Sequence, residues 1–429
     1  MKKTLLLSVV ASTLIMAGGD IEPVAVPVVE EVSNWEFGGQ GVVYYQTVEN
    51  ADFLGTGDSG LFNQTSSLAN AGIQLRAANK DVAWGIGAGV EVNGLATLGL
   101  ENDVVSNVMQ NVGRADLRGG WISQAYLTYG IGNTSIKAGR QELPKGLSPF
   151  AFSEGWNVFK NTFDSILVVN TDISNTTLVG AWVEAANFNG IGAGTDMANF
   201  GKANGGSGIY MATIQNKSVE GLTVTGTWYY GASTDSIDTF GEDLNILWGD
   251  AKYAMNNFTI AGQIGTVMSD EFTVANGFAN DDDTLAFGLK AGGKFDMFDA
   301  ALIYTSVDES GLGVFNVGGV KTPLYSQLIL NQDFIRFDSD TFVAKAGMKA
   351  LGGKFGAAFN YSTVFDDVAA GAGELTYTEF DLTYKTKVFN DTTTLFAGYI
   401  YRDVEFEDSA LAANDWDDNV LRFWGRYNF

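Results

Sequence analysis

The chain ends Leu421-Arg422-Phe423-Trp424-Gly425-Arg426-Tyr427-Asn428-Phe429. In an extended segment successive side chains point to opposite faces. Leu421, Phe423, Gly425, Tyr427 and Phe429 then share one face, and Arg422, Trp424, Arg426 and Asn428 the other. An Arg facing lipid at mid-depth costs about 2–4 kcal/mol. If this strand crosses a membrane, its Arg face is therefore turned toward a water-filled interior.

The same alternation recurs back to Trp35, in about eighteen stretches of roughly ten residues joined by connectors that alternate short and long. In a bilayer no backbone N–H or C=O can go unpaired, so an extended chain spans only as a closed barrel. The pattern predicts an all-β fold: a transmembrane antiparallel β-barrel of about 18 strands over residues 35–429. Within that reading Phe423, Tyr427 and Phe429 resemble the C-terminal assembly signal of bacterial outer-membrane proteins, which implies the barrel assembly machinery as a partner.

Short turns are expected at 79–81, 130–133, 173–176, 216–221, 255–257, 296–297, 352–353 and 389–391, where Gly, Asn and Asp supply the positive φ of tight hairpins. Long connectors are expected at 49–67, 97–119, 141–162, 187–207, 232–243, 269–283, 308–340, 366–374 and 403–418. With an even strand number both termini and the short turns are periplasmic, and the long loops extracellular. Expected outward rows stay free of charge. One runs Val82, Trp84, Ile86, Ala88, Val90, Val92, a second Leu285, Phe287, Leu289, Ala291, Phe295, and a third Phe342, Ala344, Ala346, Met348, Ala350. Tyr129, Trp228, Tyr304, Tyr399 and Tyr401 sit near strand ends, where interfacial girdles form.

At the other end Lys2 and Lys3 precede an apolar run over 5–16 and the small residues Ala17, Gly18 and Gly19. This reads as a signal peptide over 1–19, too short for a spanning helix. A Pro/Val/Glu-rich periplasmic leader is expected over 20–34. The expected location is the outer membrane of a Gram-negative cell, with multiple passes. Gly reaches 53 of 429 residues, well above the usual ~7%. Cys and His are both 0, which removes disulfides, thiol chemistry, Ser-His-Asp catalysis and His-metal sites, so no enzymatic activity is expected. A net charge of −25 disfavours nucleic acid and favours cations. The runs at Asp281–283, Asp366–367 and Asp415/Asp417/Asp418 suit acidic outer loops, with Ca²⁺ binding or divalent bridging to lipopolysaccharide as the lesser reading.

Eighteen strands enclose an aqueous channel rather than a filled core, and an unconstricted channel would not select. The third long loop is unusually apolar: Phe150, Phe152, Trp156 and Phe159 call for burial, and Pro144 and Pro149 stiffen the path. It is expected to fold inward as a constriction. Glu142, Lys145, Glu154, Lys160 and Asp164 would stand at that constriction. Arg76, Lys137, Arg140, Lys290, Lys345, Lys349, Arg402, Arg422 and Arg426 would form the basic wall opposite. Opposed acid and base across a narrow pore set up a transverse field that orients dipolar solutes.

Lys137-Ala138-Gly139-Arg140-Gln141, then Trp156-Asn157 and Asn161-Thr162-Phe163-Asp164, resemble the major outer membrane porin family of Campylobacter and its relatives. So do Lys321-Thr322-Pro323-Leu324-Tyr325 and Asn331-Gln332. The resemblance implies an OprD-like general porin: a homotrimer of eighteen-stranded barrels, each with an inward third loop and a cation-preferring pore. It also associates a calcium ion with the pore, otherwise no cofactor. The expected cargo is small hydrophilic solutes and cations moving by passive diffusion. A substrate-selective channel and a surface adhesin or structural barrel are the alternatives.

Overall fold

A computed structural model of the chain describes residues 35–51, 60–113, 117–232, 243–268, 283–308, 312–365, 374–407 and 415–429. The expected signal peptide and leader lie outside these residues, as do Asp281, Asp282, Asp366 and Asp367.

Among the described residues nineteen strands form one antiparallel sheet. One of them, Gly201–Lys202, is a two-residue flap paired with Ala185 and Ala186. The other eighteen succeed one another around a closed ring. Glu36–Val48 pairs with Ser67–Ala83 on one side and with the last strand, Trp416–Asn428, on the other. That closing seam runs from Gln40 opposite Asn428 to Val48 opposite Val420, so the sheet has no free edge. No helix among the described residues is long and apolar enough to cross a membrane, and the helical elements are four short 3-10 turns.

The two faces separate as the period of two requires. Ile73, Leu75, Val90, Leu127, Leu247, Ile264, Leu289 and Leu302 are exposed on the outer face. On the last strand Phe423, Tyr427 and Phe429 point outward and are exposed, while Val420, Arg422 and Trp424 are buried on the inner face.

Seven of the eight short turns fall within a residue or two of expectation. The exception is the first, expected at 79–81. The strand instead runs to Ala83 and turns at Trp84–Gly85, with φ of 53° and 78°. Asn79 and Asp81 are absorbed by an irregularity in the ladder, where Asn79 Oδ1 accepts the Asp81 N–H and Asp81 Oδ1 accepts the Gly85 N–H. Their side chains mimic a turn locally, and the chain goes on.

Candidate functional site

Among the described residues the third long connector, 142–162, packs on the inner wall along most of its length. Phe150 packs edge-on against Tyr229 and Trp248, at ring-centroid distances of 5.8 and 5.2 Å. Its N–H donates to the Tyr229 hydroxyl at 3.1 Å. Further along, Trp156, Val158 and Phe159 share a core with Val42, Tyr44, Leu68, Trp121 and Trp424, all from inner-face strand positions. Phe159 can lie so close because Gly72 offers no side chain there: a Cβ on Gly72 would stand 2.7 Å from the Phe159 ring.

Polar anchors fix the loop path. The Tyr44 hydroxyl donates to Trp156 O at 2.8 Å. Arg426 Nη atoms donate to Asn157 O at 2.6 Å and Val158 O at 2.8 Å. The Gln110 amide bonds both backbone groups of Phe159, at 2.7 and 2.8 Å, so the 97–118 connector joins the same layer.

Glu154 is the hub. It is 3% exposed. Its carboxylate accepts from Trp156 Nε1 (2.9 Å), Asn316 Nδ2 (2.8 Å), Val320 N (3.1 Å) and Lys321 N (2.7 Å). It thus joins the third loop to the seventh, 308–338. That seventh loop also rests on inner-face groups. Leu330 N donates to Glu379 Oε1 at 3.0 Å, Asn331 Nδ2 to Asn360 Oδ1 at 2.9 Å, and Lys345 Nζ to Gln327 O at 3.0 Å.

The residues expected at the constriction divide into four groups. Glu142 and Lys160 form a half-buried ion pair at 2.9 Å where the third loop starts and ends. Lys145 reaches across to Thr322 O at 2.8 Å. Burial, with Lys290 and Lys321 close by, pushes the Lys145 ammonium down to about 8, and burial does the same to Lys321. Tyr325 donates to Asp250, and burial beside that carboxylate raises the phenol above its ordinary value. Glu154 is spent on the clasp between loops rather than offered to a solute.

Asp164 and Arg140 correct the expectation. Arg140 pairs across the ladder with Ala125 on one side and Asp164 on the other, the row that carries exposed Leu127 and Ile166 one pleat further on. Its Nε and Nη2 donate to Asp164 at 2.8 and 2.9 Å, its Nη1 to Ile122 O at 3.0 Å, and Phe200 lies against it, the guanidinium carbon 3.3 Å from the ring centroid. The pleat puts this pair on the outer face at the long-loop end, and Gln141, one residue on, turns inward and is buried.

The remaining bases lie on the inner face. Arg76 stands opposite Glu91, and Lys137 lies 3.7 Å from the Tyr126 ring centroid. Lys290 approaches the Tyr325 ring at 5.7 Å, and Lys349 stands opposite Lys354. Arg402 forms a two-pronged pair with Asp418, and Arg422 Nε donates to Gln46 at 2.8 Å. Asp250 and the whole inner packing of the seventh loop escaped the sequence reading. The signal was present: Leu324, Leu328, Ile329, Leu330 and Ile335 make that connector as apolar as the third. Among the described residues no three acidic side chains converge as a cation site.

No family model matches the chain, and no curated protein matches it in sequence. Solved structures do match it in shape. OccAB3 of Acinetobacter baumannii aligns at a TM-score of 0.70 and 12% identity, over 93% of this chain and 100% of that one. OccK8 (OprE) of Pseudomonas aeruginosa aligns at 0.67 and 13%, over 93% and 98%. Pseudomonas aeruginosa OpdK, crystallised with vanillate, aligns at 0.66 and 11%, over 92% and 98%. At such identities the likeness establishes the fold: a closed barrel of eighteen antiparallel strands.

Proposed function

We propose that this chain is a porin of the Gram-negative outer membrane, a water-filled channel for passive diffusion of small hydrophilic solutes and ions. One observation carries the reading. A closed eighteen-strand ring has an apolar outer face and an inner face set with Arg76, Lys137, Lys290, Lys345, Arg402 and Arg422. An apolar exterior suits lipid, and a ring this size holds water. The third loop is read as the inward constriction because Phe150, Trp156 and Phe159 rest on inner-face partners, and the seventh loop, clasped to it through Glu154, narrows the passage further. Acidic outer connectors concentrate cations at the mouth, which favours a cation preference. The resemblance to the Campylobacter porins supports a homotrimer.

Planar-bilayer conductance of refolded protein under a KCl gradient tests this. Stable open steps, grouped in threes, with a reversal potential of cation sign are expected. Protein that inserts and opens no channel overturns the reading.

One observation favours a second reading, a channel selective for an anionic solute. Lys145, Lys290 and Lys321 gather around one stretch of the interior, beside the carboxylates of Glu154 and Asp250. OpdK holds vanillate, an aromatic carboxylate, and this chain would take solutes of that class. A chloride-signed reversal potential, with conductance blocked by added benzoate, would move the conclusion here.

A further inference from the structure

The end of the barrel that carries the short turns is built against the ordinary rules of hairpins. Two-residue hairpin loops need left-handed backbone at their first position, which Gly, Asn and Asp adopt readily. In this barrel Gly132 (φ 59°) and Asn256 (φ 51°) fill such places. Trp84 and Leu351 fill two others, and Phe389 opens the four-residue turn 389–392, each with φ of 53°. Bulky apolar residues rarely accept that backbone, and here they gain no burial within the chain. Trp84 is 91% exposed, Leu351 85% and Phe389 77%. A strained backbone that presents an unburied apolar side chain makes sense only if something outside the chain covers it.

What lies beside these turns says what covers them. The apolar outer face runs into the turn end without a polar break: Met255 stands opposite Phe258, both exposed, and Phe258 packs edge-on to Phe295 at 5.7 Å. Exposed Met348 and Phe298 pair on the same face at the same end. Of the charges at this end, Lys80 pairs with Glu36 at 3.2 Å and Lys354 with Asp299 on the inner face, while Glu220, Asp296 and Asp391 stand exposed in the turns. On the strands here, apolar outside and charged inside is the arrangement that lipid imposes.

We infer that Trp84, Leu351 and Phe389 are lipid anchors. Each hairpin tip is seated at the boundary between headgroups and acyl chains of the leaflet next to the turns, and together they fix the depth of the barrel. Amphipathic and apolar side chains are stabilised at that boundary. The inference rests on the membrane reading above and adds a contact that the strand belt alone does not supply.

The absence of cysteine makes the test direct. Trp84→Cys, Leu351→Cys and Phe389→Cys are each labelled with a nitrobenzoxadiazole maleimide and refolded into phosphatidylethanolamine/phosphatidylglycerol vesicles. Circular dichroism checks that each is a folded barrel. Leu289→Cys in the outer belt and Glu220→Cys in a polar turn are the controls. The three tip labels should emit to the blue of Glu220→Cys, lose emission to lipid spin-labelled near the headgroup, and resist iodide. Leu289→Cys should respond to spin label deep in the acyl chain. Tip labels that iodide reaches as freely as it reaches Glu220→Cys, while Leu289→Cys is quenched by lipid, overturn the anchors alone. If Leu289→Cys also escapes lipid quenching, the membrane reading fails and the anchors with it.

Discussion

The carboxylate of Glu154, in the third loop, accepts the backbone N–H of Lys321, in the seventh, at 2.7 Å. Room for this clasp comes from Gly319, where a Cβ would fall 2.0 Å from Glu154 Oε1. Four donors end on that one buried carboxylate. Glu154→Ala strands all of them, and losing the acceptor of a buried charged network costs roughly 3–5 kcal/mol. The loops should part, so E154A is expected to show larger and noisier single-channel conductance and faster proteolysis within 308–338. A quiet trace of unchanged size would mean that the loops hold together without Glu154.

Gly72 makes a steric prediction where the third loop meets the wall. With Phe159 2.7 Å from where its Cβ would be, Gly72→Val must push the ring away. Overpacking of this kind costs about 1–3 kcal/mol. The denaturation midpoint should fall, and Phe159→Leu in the same chain should recover part of the loss. Equal, additive losses from the two changes would show that ring and glycine do not meet.

How much of this was legible in the sequence follows from the range of the interactions. The strand pattern is local: each pleat is stated by its own residues, so the ring and most of its turns could be read directly. The one misplaced turn shows the limit, because Asn79 and Asp81 carry turn chemistry that the backbone uses without turning. The loop layer is not local. That Phe159 needs Gly72, or that Glu154 serves Asn316 and Lys321, depends on residues far apart in the chain. Glu154 looked like a pore carboxylate for that reason. Net charge misleads in a similar way: −25 is a sum over the chain, whereas the inner wall carries Lys290, Lys345, Arg422 and Arg426 near the acids it encloses.

Arg140 and Asp164 separate the two readings sharply. On the inner wall their neutralisation would alter selectivity. On the outer face, where the ladder puts them, it should not. Arg140→Gln and Asp164→Asn are each expected to leave the conductance and reversal potential as they were. Stability should fall by up to about 1 kcal/mol, since the pair is partly exposed and screened. A shift in reversal potential for either variant would put the pair back inside.

Lys145 gives the channel a pH dependence whose sign can be worked out. Burial, the largest cause, brings its ammonium from the ordinary 10.5 to about 8. The folded protein therefore loses this positive charge between about pH 7 and 9, whereas an unfolded chain keeps it until near 10.5. The unfolded state binds more protons in that window, so folding stability should rise with pH from about 8 toward 10.5. The interior becomes less positive over the first part of the same range. Ordinary carboxylates are already ionised there, and Tyr325 is pushed out of reach of this titration. Cation permeability relative to chloride should thus increase from pH 7 to 9, read as a growing reversal potential under a fixed KCl gradient. Lys321 titrates in the same window, so Lys145→Gln should shrink the shift without abolishing it. A shift of full size in K145Q, or one of opposite sign, would remove Lys145 from the conducting path.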